Sequence, residues 1–428
     1  MSDQLSEFGQ RLCVGSGIEE LMDDLGNALA LGGPDIRMLG GGQPAHIPEV
    51  NVLWRKRMEE ILSTPGELEK TLSNYDPPRG NPKFIAALAE LFNQSFGWDI
   101  SAKNIAITAG GQTAFFFLFN ALAGKFPDGS SKKILLPLVP EYIGYANQSV
   151  GSDIFRAVRP KIEKIGEHDF KYRVDFDNLH VDDDIAAICV SRPTNPTGNV
   201  LTDNEMSRLA TIANAHGIPL IIDNAYGAPF PNIIFTETTP VWNENIILTL
   251  SLSKIGLPGT RTGIVVARED IAAGVASMSA IVGLANGNVG QALMEPLVRS
   301  GEILSLSNEI VKPFYIKKSQ QARQWVEEFF DGSLPYRVHA REGALFLWMW
   351  FEGLPISSAE LYERLKKREV LIISGHYFFF GLDDSEPWQH RNECIRVTYT
   401  MDERSVREGI RIIAEEVAKA YTQSTTNS

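Results

Sequence analysis

Through the middle of the chain, short apolar runs alternate with stretches whose apolar positions recur every three or four residues. "NIAIT" precedes a helical pattern over 113–123, and "KILLPL" follows it. "IAAICV" leads to a helical pattern over 203–216, then to "IPLIID", "NIILTL" and "TGIVVA". Apolar strands with helical crossovers predict an α/β unit built on a mostly parallel, seven-stranded sheet flanked by helices. Beyond about residue 312 the rhythm changes. A long amphipathic helix runs into "GALFLWMWF", a helix near 358–368, "VLIISG", "CIRVTYT" and a final helix from about residue 402, with the polar tail "TQSTTNS" read as frayed. That order predicts a smaller α+β domain. The expected division is a large domain over 51–311 and a small, discontinuous domain from 1–50 and 312–428.

In an open parallel sheet, ligands gather at the carboxyl ends of the strands, so the residues after each apolar run carry the chemistry. After "NIAIT" come Gly110, Gly111 and Gln112, opening a helix. Such a turn serves either tight packing or a phosphate, which the free N–H groups of a helix start attract. After "IAAICV" comes "SRPTNPTGNV", with Asn195 between two prolines in a rigid turn or as a polar contact in the crevice. After "IPLII" stand Asp223, Asn224 and Tyr226, and a carboxylate there needs a cation or several donors. After "NIILTL" come Ser251, Ser253 and Lys254, with Arg261 beyond. Around one crevice, these ends assemble a phosphate cradle, a carboxylate, a phenol, an amide, an amine and a guanidinium. Pyridoxal phosphate needs that set: an amine for its aldehyde, a carboxylate for its ring nitrogen, donors for its phosphate.

Composition narrows the partners. The 428 residues are 44% hydrophobic and 22% charged, with a net charge of -13 and no basic block, which argues against nucleic acid and anionic membranes. Three scattered cysteines fit reduced core thiols rather than disulfides or a metal site. The two long uncharged stretches, 105–124 and 271–294, are interrupted by glycine and polar residues and are read as buried segments. The N-terminus has neither a basic head nor an apolar core, so no export signal is expected and a cytoplasmic location is. "HVDDDI" is read as a solvated turn and not a metal site. "GHYFFFG" (375–381) is left open between lining a substrate pocket and packing the small domain.

The motifs "NYDPPRG", "TAGGQTA", "PEYIGY", "SRPTNPTGNV", "IDNAYG" and "SLSKIGLPGTRTG", in that order along nearly the whole chain, resemble those of the class I/II (fold type I) pyridoxal-phosphate aminotransferases. The resemblance implies pyridoxal 5'-phosphate as cofactor, no metal, and a homodimer with shared active sites. It implies that Lys254 carries the cofactor, Asp223 pairs with the ring nitrogen, Tyr226 and Asn195 bond the ring oxygen, and Tyr142 stacks on the ring. Gly111, Gln112, Ser251, Ser253 and Arg261 would hold the phosphate, and Tyr75 would reach the phosphate of the neighbouring subunit. Arg396, with Asn195 and the N–H of Gly42 or Gly41, would bind the substrate carboxylate. The implied reaction is ping-pong transfer from an aliphatic amino acid (valine, by the closeness of the motif text) to pyruvate, in amino-acid biosynthesis. A carbon–sulfur β-lyase on the same fold is the alternative. A non-enzymatic cofactor-binding regulator is disfavoured, because no room precedes the motifs for a DNA-binding segment.

Overall fold

The computed structural model describes residues 5–13, 23, 26, 36–151, 153–330, 332–383 and 385–426. Its strands, in chain order, are β1 (Arg37–Met38), β2 (Ile105–Thr108), β3 (Gly124–Lys125), β4 (Ser131–Leu136), β5 (Phe155–Ala157), β6 (Lys161–Ile165), β7 (Asp169–Arg173), β8 (Ile185–Ser191), β9 (Leu220–Asp223), β10 (Ile246–Ser251), β11 (Gly263–Val266), β12 (Tyr336–His339), β13 (Phe346–Phe351), β14 (Val370–Leu371), β15 (Ile373–Ser374) and β16 (Cys394–Thr398).

The large sheet runs β2-β11-β10-β9-β8-β4, with β5 and the two-residue β3 both paired to β4. Seven strands therefore match the expectation, and β3 adds a short antiparallel ribbon. The centre is parallel, from β10 through β9, β8 and β4 to β5, while β11 runs antiparallel between β10 and β2. The central strands are buried along their whole length, as continuous apolar runs covered on both faces must be. Register aligns the site-bearing ends: Ser191 lies beside Asp223, Asp223 beside Thr249, and Ser251 beside Gly263. Local signals set the crossovers. Thr202 caps the helix Asp203–Ala215 in a reciprocal capping box with Glu205. Asn81 caps Pro82–Phe96, which ends at Gly97 in the left-handed region.

The second sheet runs β15-β16-β13-β12-β7-β6. The hairpin β6–β7 comes from the middle of the chain, yet β7 pairs in parallel with β12. The alternation in "KIEKI" marks a strand but not which sheet receives it, so this placement is a tertiary outcome. The helix Lys312–Phe329 packs against the last helix, Glu403–Thr426, which extends into the polar tail expected to fray. No helix among the described residues is long and apolar enough to cross a membrane. Cys189 and Cys394 are buried free thiols and Cys13 is an exposed one.

Two seams join the sheets. In the first, β1 pairs with β14, the Leu39 carbonyl accepts from the Thr398 N–H at 2.8 Å, and the chain continues as Gly40–Gly42 into the cleft between the sheets. In the second, the Lys171 ammonium on β7 is buried against the Glu342 carboxylate at 2.5 Å and the Val200 carbonyl at 2.9 Å. Glu342 in turn accepts from the Val200 N–H at 3.0 Å. Gly198, with φ of 73°, passes so close to Gly343 that an added Cβ would lie 2.5 Å from its carbonyl oxygen. Burial lowers the pKa of Lys171 even with its partner beside it. Lys171→Met leaves Glu342 without its cation and is expected to destabilise the protein by about 3 kcal/mol, read as a lower urea midpoint.

Candidate active site

One cavity of about 480 Å³ opens at the carboxyl edge of β8, β9 and β10, roofed by the Gly41–Pro44 turn and by β16. It gathers Gly111, Gln112, Tyr142, Asn195, Asp223, Tyr226, Ser251, Ser253, Lys254, Arg261 and Arg396, together with Gly41 and Gly42. Every residue expected at the site lines it except Tyr75, which is 82% exposed and outside it.

Lys254 is half-buried in the 3-10 turn Leu252–Ile255, which follows β10 directly. The Ser251 side chain caps that turn by accepting from the Ser253 N–H at 3.1 Å, and the two serine hydroxyls are 2.9 Å apart. The Trp54 indole donates to the Ile255 carbonyl at 3.1 Å and pins the turn from outside. The Lys254 ammonium donates to the Gly42 carbonyl at 2.5 Å and stands 5.3 Å from the centre of the Tyr226 ring. Desolvation, with the positive charges of Arg396 and Arg261, lowers its pKa to about 8. The Gly42 carbonyl is therefore engaged with the lysine, while the sequence pointed to the Gly42 N–H.

Asp223 is 8% exposed. It accepts a short hydrogen bond from the Tyr145 hydroxyl and another from the Ala225 N–H at 2.9 Å. No cation among the described residues comes within ion-pair distance, and burial raises its pKa. Arg396 is 3% exposed. It donates to Asn195 Oδ1 and to the Gly40 carbonyl, both at 2.6 Å, and its guanidinium stacks on the Phe346 ring at 4.2 Å. Its Nε is buried with no hydrogen-bond partner among the described residues, and burial lowers its pKa to about 10. A guanidinium held among the described residues by neutral groups, with one donor idle, has the chemistry to receive a carboxylate.

Opposite these, the helix Gly111–Leu122 points its N-terminus into the cavity. Gly110 enters it with φ of 92°, and a Cβ there would sit 2.2 Å from Arg261 Nη2. The glycine thus leaves space for the guanidinium over the helix start. Gln112 donates to the Gly144 carbonyl at 2.8 Å. N–H groups, two hydroxyls and an arginine converge here, a donor set suited to a phosphate dianion.

Some participants were not singled out from the sequence. Tyr145, Glu141 and Gly40 touch the site groups directly or one bond away, and Phe346 and Phe378 bracket the Arg396 guanidinium. The segment 375–381 does not line the cavity. Phe378 and Phe379 are buried in the small sheet's packing, and Phe378 backs Arg396 at 5.4 Å. In "HVDDDI", Asp182 and Asp184 pair with Arg156, and the described residues hold no cluster suited to a metal.

Comparison with known proteins places the whole chain in one family. The family described as "Aminotransferase class I and II" matches residues 51–413, and the chain belongs to it. The valine–pyruvate aminotransferase of Escherichia coli (strain K12) is 46% identical over 419 residues, covering 98% of this chain and 99% of that one. The crystal structure of valine-pyruvate aminotransferase from Salmonella typhimurium LT2 superposes with a TM-score of 0.87 at 46% identity, over 95% of this chain and 100% of that one. An α-aminoadipate aminotransferase from Thermus thermophilus shares the fold, with a TM-score of 0.77 at 20% identity over 99% of each chain.

The lowered pKa of Lys254 has a measurable sign. Its folded value, about 8, lies below the ordinary 10.5, so holding its charge disfavours folding below about pH 8 and that penalty fades between the two values. Without cofactor, Lys254→Met is expected to melt above the wild type at pH 7, with the gap closing by pH 10.5. An unchanged gap in thermal melts across that range would count against the assignment.

Proposed function

We propose that this chain transfers the amino group of valine to pyruvate, giving 3-methyl-2-oxobutanoate and alanine, with pyridoxal 5'-phosphate in the cavity described above. The observation that carries the reading is the placement of a lysine of lowered pKa between a buried carboxylate and a buried guanidinium, neither of which has a partner at ion-pair distance among the described residues. The likeness to valine–pyruvate aminotransferases over nearly the whole chain supports the choice of substrates.

The residues fit the cofactor on three counts. The helix start at Gly111 with Gln112, Ser251, Ser253 and Arg261 would hold its phosphate. Asp223 has no cation at ion-pair distance among the described residues, and a protonated ring nitrogen there would oppose the upward shift of its pKa. Lys254 would carry the cofactor through Nζ, Tyr142 would cover the ring, and Tyr226 and Asn195 would bond the ring oxygen. When bound, the cofactor supplies an aldehyde carbon that receives the amino group and a ring that takes up electrons from the substrate α-carbon.

The remaining work falls to the chain. Arg396 would clamp the substrate carboxylate by parallel hydrogen bonds, with Asn195 orienting the guanidinium and an N–H of Gly41 or Gly42 beside it. That grip turns the α-hydrogen toward Lys254. With a pKa near 8, the lysine amine is in part neutral at physiological pH, so it takes a proton from the substrate α-carbon and gives one back. The apolar walls of the cleft limit water and favour an aliphatic side chain.

Residues 51–311 would form the large domain, with the β6–β7 hairpin reaching out of it to the second sheet, and the described part of 1–50 with 312–428 the small one; 14–22, 24–25 and 27–35 lie outside the described residues. The working form would be a cytoplasmic homodimer. Asn288 donates to the Asn74 carbonyl at 2.8 Å, tying the loop of Tyr75 to the segment after the exposed Ile281, Val282 and Leu284. Such exposed apolar side chains on neighbouring stretches suit a subunit interface, through which Tyr75 would reach the partner's phosphate.

Purified protein is expected to convert valine and pyruvate in separable half-reactions, each followed by cofactor absorbance. Turnover without any 2-oxo acid acceptor would instead mean elimination chemistry. Lys254→Ala should remain folded and lose at least about a thousandfold in kcat. Arg396→Met should lower kcat/KM for valine by about 30- to 100-fold, in line with a charge-assisted pair, and a near-normal value would remove Arg396 from carboxylate binding. The purified chain should sediment as a dimer, and Tyr75→Phe should weaken cofactor binding without dissociating it.

A further inference from the structure

Behind Asp223 lies a second acid that the reaction as described does not use. Glu141, from "PEYIGY", is 0% exposed. Its Oε1 accepts from the Ser191 N–H at 2.8 Å, and its Oε2 is 2.7 Å from the Ser191 hydroxyl and 3.2 Å from the Tyr142 N–H. The Ser191 hydroxyl is 3.5 Å from that of Tyr145, whose own proton goes to Asp223. Glu141, Ser191, Tyr145 and Asp223 thus form one buried chain of polar groups. The titratable groups that face Glu141 are Asp223, Tyr145 and Cys189, and no cation among the described residues acts on it.

The proton on Glu141 decides which way this chain points. With Glu141 neutral, its carboxyl donates to Ser191, Ser191 turns its hydrogen toward Tyr145, and Tyr145 donates to Asp223. All donors then converge on one carboxylate. With Glu141 ionised, Ser191 must donate backwards to it, the Tyr145 oxygen loses its donor, and two negative charges share one apolar pocket. We propose that Glu141 is a positioning residue whose protonated carboxyl, acting through Ser191 and Tyr145, keeps the negative charge of the two buried acids on Asp223. This rests on the reading above, in which Asp223 faces the cofactor ring.

Desolvation is consistent with the geometry, raising the Glu141 pKa from 4.5 to about 8. Between those values the unfolded chain has released this proton and the folded chain has not, so rising pH favours unfolding. Glu141→Gln keeps an acceptor for the Ser191 N–H and a donor for its hydroxyl, and cannot ionise. Thermal melts of the full chain without added cofactor should show the melting temperature of Glu141→Gln, relative to wild type, climbing from pH 5 to pH 8. A flat difference would mean that Glu141 is ionised throughout and would overturn the proposal.

The link to Asp223 is read in the holoenzyme. Glu141→Gln should keep kcat/KM within about threefold of wild type, and Glu141→Ala should lose about tenfold or more. In a Tyr145→Phe background, the further loss from Glu141→Ala should shrink to less than about twofold. Full additivity, or a Gln variant as damaged as the Ala variant, would overturn the relay. If Glu141→Ala fails to fold, the Gln variant and its pH series still decide. The melts are independent of the cofactor, whereas wild-type rates in Asp223→Ala would sink the underlying reading and leave the location of the Glu141 proton intact.

Discussion

The arrangement depends on two buried charges of opposite sign that line one cavity and do not neutralise each other. Burying an unpaired ion costs several kcal/mol even after the protein relaxes around it. Asp223 and Arg396 are each surrounded instead by neutral hydrogen-bonding groups: Tyr145 and the Ala225 N–H for the acid, Asn195 and the Gly40 carbonyl for the base. A direct ion pair would satisfy both and close the cleft. On the proposed reading, holding them apart would leave a cationic ring and an anionic carboxylate as the partners that complete the site.

That separation is a property of the scaffold. Asp223 sits at the end of a strand in the large sheet, and Arg396 in the middle of a strand of the second sheet. The Gly40–Gly42 turn touches both halves, with the Gly40 carbonyl on Arg396 and the Gly42 carbonyl on Lys254. Lysine and arginine thereby share one short, glycine-rich span. The Lys171–Glu342 pair makes the second tie, fastening the small sheet to the loop that carries Asn195.

Much of this was legible residue by residue. Apolar runs ending in Asp223, in "SLSK" and in Ser191 announce a sheet edge loaded with polar groups, because only a bound partner or a dense set of donors makes such endings tolerable. The arginine in "CIRVTYT" stands out for the same reason. The β6–β7 hairpin was less transparent, since its pairing partner β12 lies more than 150 residues away and alternation carries no address. The aromatic run 375–381 was ambiguous because aromatic residues pack a core and line a pocket equally well; its Phe378 ring lies against Arg396. Glu141 and Tyr145 escaped notice because a lone glutamate and tyrosine in a loop announce nothing until Asp223 is placed beside them.

The sequence by itself determined the strand–helix alternation, the polar strand ends and the motif set that marks a class I and II aminotransferase. These signals are local: periodicity, glycine at tight turns and polar residues at strand ends need only a few neighbours to be read. Tertiary structure alone decided which chain-distant groups meet: Lys254 with the Gly42 carbonyl, Arg396 with Asn195, Asp223 with Tyr145 and, through Ser191, with Glu141. Ionisation and hydrogen-bond direction depend on burial and on neighbours within a few ångströms, and linear order does not specify either.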